Sequence, residues 1–133
     1  MTNSASRTAS LPRLTSDSVL IFDLDNTLYP AACDLFSQVS DLIGQYVRDT
    51  LKLEPDAAYR VQKDYFHRYG TTLRGLMTEH DIDPADYLAK VHDIDLSVVD
   101  PAPDLAQALD DLPGRKLIFT NASRGHAERV MGR

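Results

Sequence analysis

Apolar positions follow two different rhythms along the chain. Val19-Leu20-Ile21-Phe22 is a short unbroken run, β-branched and aromatic, that meets turn chemistry after Asp25. Such a run predicts a strand buried on both faces, as in a parallel sheet. Lys116-Leu117-Ile118-Phe119-Thr120 has the same character and is followed by the turn-like Asn121-Ala122-Ser123. Between the two, apolar residues recur at three- and four-residue steps, a helix period. Leu35, Phe36, Val39, Leu42, Ile43, Tyr46, Val47 and Leu51 predict a helix over 31–51. Pro55 opens the next, which carries Tyr59, Val61, Tyr65, Phe66 and Tyr69 and stops at Gly70. Asp83-Pro84 pairs an N-cap with proline at the first helical position, and Tyr87, Leu88 and Val91 follow. Leu105, Leu109 and Leu112 share one side of a helix over 101–112, which Pro113-Gly114 ends. Ser123 caps a last helix from Arg124 with Ala127, Val130 and Met131.

The order is strand, several helices, strand, helix. Alternation of this kind implies an α/β fold with a parallel sheet and right-handed crossovers. About 90 residues separate the strands, whereas a simple crossover needs only a dozen or so. The surplus is helical and must pack on itself, as a subdomain inserted after the first strand. The expected division is a disordered head at 1–17, a core formed by 18–30 with 101–133, and a helical cap at 31–100.

The composition narrows the function classes. With 133 residues the chain has room for one modest domain. Asp and Glu number 20 against 14 Lys and Arg, a formal net charge of -6. A nucleic-acid binder needs a basic face to displace counterions, so no nucleic-acid partner is expected. A small phosphorylated substrate remains compatible, because a bound metal supplies local positive charge. Cys33 is the single cysteine, which rules out an internal disulfide and suits a reducing, cytoplasmic setting. No apolar run approaches the roughly 20 residues of a membrane span, and the Ser/Thr-rich head has no apolar stretch of a secretory signal.

The chemistry concentrates where the first strand ends. In Ile21-Phe22-Asp23-Leu24-Asp25-Asn26-Thr27-Leu28, side-chain alternation points Asp23 and Asp25 the same way, about 6.6 Å apart along an extended chain. Two carboxylates that close repel, and one takes up a proton unless a cation lies nearby. A hard divalent ion with oxygen ligands, Mg²⁺, resolves the conflict. One carboxylate can then attack as a nucleophile while the other handles the leaving-group proton. In open parallel sheets ligands bind at the C-terminal strand ends, where both aspartates and Thr120 lie. A plain turn in which Asp and Asn only bond the backbone is the competing reading. An EF-hand loop fails, because Leu28 stands where the glycine belongs and Asp34 where the glutamate does.

The run Phe22-Asp23-Leu24-Asp25-Asn26-Thr27-Leu28-Tyr29 resembles the first signature of the haloacid dehalogenase-like (HAD) hydrolases, a hydrophobic strand followed by D-x-D-x-T. Leu117-Ile118-Phe119-Thr120-Asn121 resembles their second, a hydrophobic strand ending in Thr or Ser. The two occur in order around a helical insert of the size of the family's first type of cap. Within that insert, residues 65–77 (YFHRYGTTLRGLM) look like the pyrimidine 5'-nucleotidase branch. The resemblance implies a Rossmann-like parallel core, incomplete here, with an inserted helical cap. It implies a Mg²⁺-dependent phosphate-monoester hydrolase acting on a pyrimidine nucleoside 5'-monophosphate. Asp23 is then the nucleophile that forms an aspartyl-phosphate, and Asp25 protonates the leaving alcohol and later deprotonates water. Mg²⁺ is held by the Asp23 carboxylate and the Asp25 backbone carbonyl. The Thr120 hydroxyl and the Asn121 N–H bind phosphate oxygens. His67, Arg68, Thr71 and Thr72 are the cap residues nearest to a substrate role, the threonines as a loop after Gly70.

Two parts of the family pattern come later in the chain and are not met here: a lysine that offsets the phosphate charge, and an acidic pair that completes the Mg²⁺ site. After Asn121 there is no lysine, and the only acid is Glu128. Lys116 precedes the second strand and reads as an edge residue. Two strands are also few against an average sheet of about five or six, so one strand face is expected to lack cover. The chain therefore reads as the first part of a longer enzyme, not competent alone. Within the same fold the alternatives are a phosphatase of another small metabolite and a haloacid dehalogenase; Asp25 speaks against the latter, which relies on neither a second acid nor magnesium. A non-catalytic binding module is the alternative of another class. His80, His92 and His126 show no metal-ligand spacing and read, with Cys33, as packing or surface residues.

Overall fold

A computed structural model describes residues 13–133. The expected head at 1–17 thus falls, for residues 1–12, outside the described residues. The chain runs β1 (Val19–Phe22), α1 (Leu35–Leu51), α2 (Pro55–Tyr69), α3 (Thr72–Glu79), α4 (Pro84–Val91), α5 (Pro103–Asp111), β2 (Arg115–Ile118) and α6 (Arg124–Met131), with single 3-10 turns at Ala31–Cys33 and Leu96–Val98. The strands pair in parallel, Val19 opposite Arg115 and Phe22 opposite Ile118. The fold is α/β, with six helices and a two-stranded parallel sheet among the described residues.

Local chemistry explains most boundaries. Pro55, Pro84 and Pro103 stand at the first helical positions of α2, α4 and α5, where a missing N–H costs nothing. The Asp83 carboxylate accepts from the Ala85 N–H and starts α4. Ser123 caps α6 by accepting from the His126 N–H. The helix expected over 31–51 is interrupted at Asp34, whose φ of 57° ends the 3-10 turn before α1 begins. The stretch after Gly70 is not a loop. The Thr71 hydroxyl accepts from the Arg74 N–H, and α3 begins at Thr72. That helix escapes the periodic reading because it is short and follows an N-cap at once.

Helices α1 to α4 pack on one another around Tyr46, Val47, Ala58, Tyr65, Leu76, Tyr87 and Val91. Each large apolar side chain removed from water there stabilises by about 1.5–3 kcal/mol. Tyr46 and Tyr87 meet edge to face, ring centroids 5.0 Å apart. Gln62 is buried and ties three helices: its side-chain amide donates to the Ser40 carbonyl of α1, and its own carbonyl accepts from the Thr72 hydroxyl of α3. Gly75 lets α3 press against α2, since a Cβ there would lie 2.4 Å from the Cβ of Tyr65.

A second core lies under the strand ends, formed by Leu24, Tyr29, Leu35, Val99 and Val130. Helix α5 contributes no buried residue to it. A cavity of about 450 Å³ runs beneath α5, lined by Leu24, Val99, Leu105, Leu109 and Val130 among others. The expectation that the first strand is buried on both faces is not met. Ile21 is 67% exposed and Val19 52%, and on the same side Phe119 is 76% exposed. The described helices cover the other face, to which Leu20, Phe22 and Ile118 turn, and nothing described lies over this one. No described helix is long and apolar enough to cross a membrane.

Candidate active site

Parallel pairing brings the two signature segments together. The Phe119 N–H donates to the Phe22 carbonyl at 2.8 Å, carrying the ladder one step past β1 and β2. Asp23-Leu24-Asp25 therefore runs beside Thr120-Asn121 at the C-terminal ends of adjacent strands. Leu24 is fully buried in the second core and anchors the segment, with Asp23 exposed and Asp25 half-buried on either side. The chain then turns sharply. Asn26 takes a left-handed φ of 58°, which asparagine tolerates better than most residues. The N–H groups of Thr27 and Leu28 both bond the Leu24 carbonyl, at 3.1 and 2.9 Å. The turn returns Thr27 to the first carboxylate, and its hydroxyl donates to Asp23 Oδ2 at 2.7 Å. The spacing D-x-D-x-T is thus a geometric unit in which the threonine holds the first aspartate.

Asp25 is held differently. Its Oδ1 accepts from the Tyr29 hydroxyl at 2.9 Å and contacts His126 Nε2 at 2.8 Å. Burial alone would raise its pKa; the bonds from His126 and Tyr29, with the nearby imidazoles, outweigh burial and hold it below the usual carboxylate range. Burial and then the bond to Asp25 push the Tyr29 hydroxyl well up, so it stays a donor. The His126 ring stacks on that of His92, centroids 4.5 Å apart and planes 25° from parallel. Burial, then the neighbouring His126, lowers His92 to about 4. Ser123 Oγ lies 3.2 Å from His92 Nδ1, so the residue that caps α6 also locates the second imidazole.

Asp25 and Asn121 open onto one cavity of about 410 Å³, within the range of small-molecule sites. Its far wall comes from the helical group: Phe36, Ile43, Gln62, Lys63, Phe66, Thr71, Thr72 and Tyr87. Thr71 and Thr72, expected near a substrate, line it. His67 and Arg68 do not: His67 is exposed, and Arg68 bonds Asp64 and Glu79 on the outer surface of α2 and α3. The Thr120 hydroxyl accepts from the Ala122 N–H at 3.1 Å, and the residue borders a separate hollow with Ile118, Phe119 and Arg124. Of the expected site residues, the structure gathers Asp23, Asp25, Thr120 and Asn121 at one end of the sheet and places Thr71 and Thr72 across the cavity.

The donor set suits a hard cation in kind. The Asp23 carboxylate and the Asp25 carbonyl are both oxygen, and Asp23 Oδ1 takes no hydrogen bond among the described residues. No group of three or more His, Cys, Asp or Glu side chains is placed to hold a metal among the described residues. This part of the chain thus offers two oxygen donors of the kind a hard cation takes.

His126 is the residue that sequence reasoning missed. In sequence it reads as a packing or surface histidine, yet it is 2% exposed and its ring reaches Asp25 across 101 positions of sequence. A signal existed. His126 sits in the first turn of a helix that leaves the same strand end as Asn121, so its side chain starts near the aspartates.

No protein-family model matches the chain. The chain is similar to phosphate metabolism protein 8 of Saccharomyces cerevisiae, at 28% identity over 123 residues that cover 85% of this chain and 38% of the yeast protein. It therefore spans well under half the length of that relative.

Proposed function

We propose that the protein carrying this chain is a magnesium-dependent phosphate-monoester hydrolase of the HAD type, acting on a pyrimidine nucleoside 5'-monophosphate. The shared opening of Asp25 and Asn121, from adjacent parallel strand ends, onto one cavity walled by α1 to α4 carries this reading. Similarity to a yeast protein named for phosphate metabolism supports the phosphate part. The aromatic wall of Phe36, Phe66 and Tyr87, beside polar Gln62 and Lys63, supports a flat, hydrogen-bonding leaving group. In this reading α1 to α4 form a cap inserted into a Rossmann-like core.

The chemistry follows from the residues. An Asp23 carboxylate oxygen attacks phosphorus, and the bond from phosphorus to the alcohol oxygen breaks. Asp25, ionised in the free protein, takes up a proton when the anionic phosphate lies beside it and passes that proton from Oδ2 to the departing oxygen. Water then attacks the aspartyl-phosphate, Asp25 takes back a proton, and Asp23 and inorganic phosphate are released. The Thr120 hydroxyl and the Asn121 N–H bind phosphate oxygens at the start of α6, where helix N–H groups favour an anion. Thr27 orients Asp23 for in-line attack. Mg²⁺, held by the Asp23 carboxylate and the Asp25 carbonyl, would neutralise charge on phosphate and nucleophile.

The test is phosphate release from UMP and CMP, against a panel of sugar phosphates and purine nucleotides, by protein purified from its native source with its intact mass recorded. Release should need magnesium, stop with a chelator, and disappear in Asp23→Asn. Equal turnover of Asp23→Asn and unmodified protein would sink the mechanism, and preference for a non-nucleotide would replace the substrate.

A further inference from the structure

Asp25 is asked to do two opposite things in the proposed reaction, to give a proton and then to take one. Its surroundings divide its two oxygens. Oδ1 is engaged twice, by the Tyr29 hydroxyl at 2.9 Å and by His126 Nε2 at 2.8 Å. Oδ2 has no partner among the described residues, and Asp25 borders the cavity of about 410 Å³. Both partners of Oδ1 are buried, Tyr29 at 5% and His126 at 2% exposed. A carboxylate gripped through one oxygen by two buried donors from different elements cannot turn freely about its last bond.

The hydrogen bonds select the form of His126. An ionised carboxylate only accepts, so Nε2 must carry the hydrogen. Nδ1 is buried and has no partner. A hydrogen on Nδ1 would be an orphaned donor, whereas a bare lone pair costs less. The hydrogen-bond geometry therefore places a hydrogen on Nε2. The ring is fixed from three sides: the Ser123 cap sets the first turn of α6, His92 stacks on one face, and Asp25 receives the N–H. Arg129, on the next turn of α6, donates to the His92 carbonyl and ties the stacked partner to the same helix.

We propose that His126 is the positioning residue for Asp25: its Nε2–H, together with the Tyr29 hydroxyl, fixes Oδ1 so that Oδ2 alone faces the cavity and exchanges the proton with the leaving group. This rests on the hydrolase reading above. His126 touches neither substrate nor the reacting atoms, and acts only through Asp25. The stacked His92 keeps the ring in the plane that the bond requires.

Leaving groups separate this role from a merely structural one. A nitrophenolate departs without help, while an alkyl alcohol needs the proton. In His126→Ala, single-turnover phosphoenzyme formation from an alkyl phosphate should fall about 10²-fold, and from p-nitrophenyl phosphate less than about threefold. His126→Gln, whose amide can still donate, should recover part of the alkyl rate. An equal fall for both substrates, or none for the alkyl one, overturns the proposal. Unmodified protein that forms no phosphoenzyme from either substrate overturns the hydrolase reading itself, and the proposal with it. A second measurement needs no variant at the histidine. Long-range nitrogen–proton NMR of the unmodified protein should show His126 with its hydrogen on Nε2, and Asp25→Ala should disturb that signal. A ring with its hydrogen on Nδ1 overturns the proposal even where His126→Ala fails to fold.

Discussion

The imidazole of His92 lies face to face with that of His126, centroids 4.5 Å apart, and both rings are buried. Such a stack resists a charge on both rings at once. His92 is accordingly lowered to about 4 from an ordinary 6.5, by burial first and then by His126. The unfolded chain takes up a proton as pH falls through about 6.5, while the folded protein declines it until about 4. The contribution of this group is thus fully present above the unfolded value and lost on acidification between the two. Asp25, lowered in the fold, acts in the same direction further down: its contribution is present above its ordinary 3.8 and lost as pH falls through its lower native value. Urea melts between about pH 7 and pH 4.5 should show a loss of roughly 2 kcal/mol, and His92→Phe should flatten that slope. An unchanged slope in His92→Phe would place the acid sensitivity elsewhere.

Two glycines in helices should respond oppositely to alanine. At Gly75 the added methyl meets Tyr65 at 2.4 Å, a clash with carbons at the root of a side chain that cannot swing away. Overpacking of about 1–3 kcal/mol then outweighs a helix-propensity gain of about 1 kcal/mol, so Gly75→Ala should lower the melting temperature. At Gly125 nothing lies within 4 Å, and Gly125→Ala should gain about 0.5 kcal/mol. A thermal scan of both variants reads the sign directly.

Thr27→Val keeps the shape of the turn and removes the donor to Asp23 Oδ2. Thr27 is exposed, so stability should change by no more than about 1 kcal/mol. Phosphoenzyme formation should fall about tenfold, because a nucleophile free to rotate loses its line of attack. Unaltered kinetics would mean that the turn, not the hydroxyl, orients Asp23.

Helix α5 buries no residue and rests over the 450 Å³ cavity. Its amides should exchange with solvent faster than those of α1 and α2, which share the first core. Hydrogen-exchange mass spectrometry of peptides spanning 103–111 and 39–47 makes the comparison, and equal protection would show that α5 is held by more than its apolar side.

The sequence made legible whatever is carried by short-range chemistry. Leu24 with the two aspartates and Thr27 forms one turn, so their spacing already held the geometry. The prolines and Asp83 and Ser123 announced helix starts because a first turn needs those groups. Asp34 was not legible as a break, since its left-handed backbone leaves no mark in the apolar rhythm of 35–51. Helix α3 hid behind Gly70 and two threonines that look like loop residues until Thr71 is seen to cap. The open side of β1 does not show in Val19 and Ile21, which are as apolar as buried residues; only the small number of strands points to it, because exposure depends on what packs above them. His126 was hidden for the converse reason. Its partner is remote in sequence, and only the parallel pairing brings the two together.

That pairing also sets an order of events. Helices α1 to α4 are neighbours in sequence and can gather as they emerge from synthesis, but Val19 must wait for Arg115. Closing a loop of about 90 residues is an entropic barrier that local helix contacts do not face, so the strand ladder should form late. The cavity bordered by Asp25 and Asn121 comes into being only with that last step. A molecule that binds there would therefore select the completed fold over its helical precursor, and saturating it at 100 times its dissociation constant would stabilise the chain by about 2.7 kcal/mol.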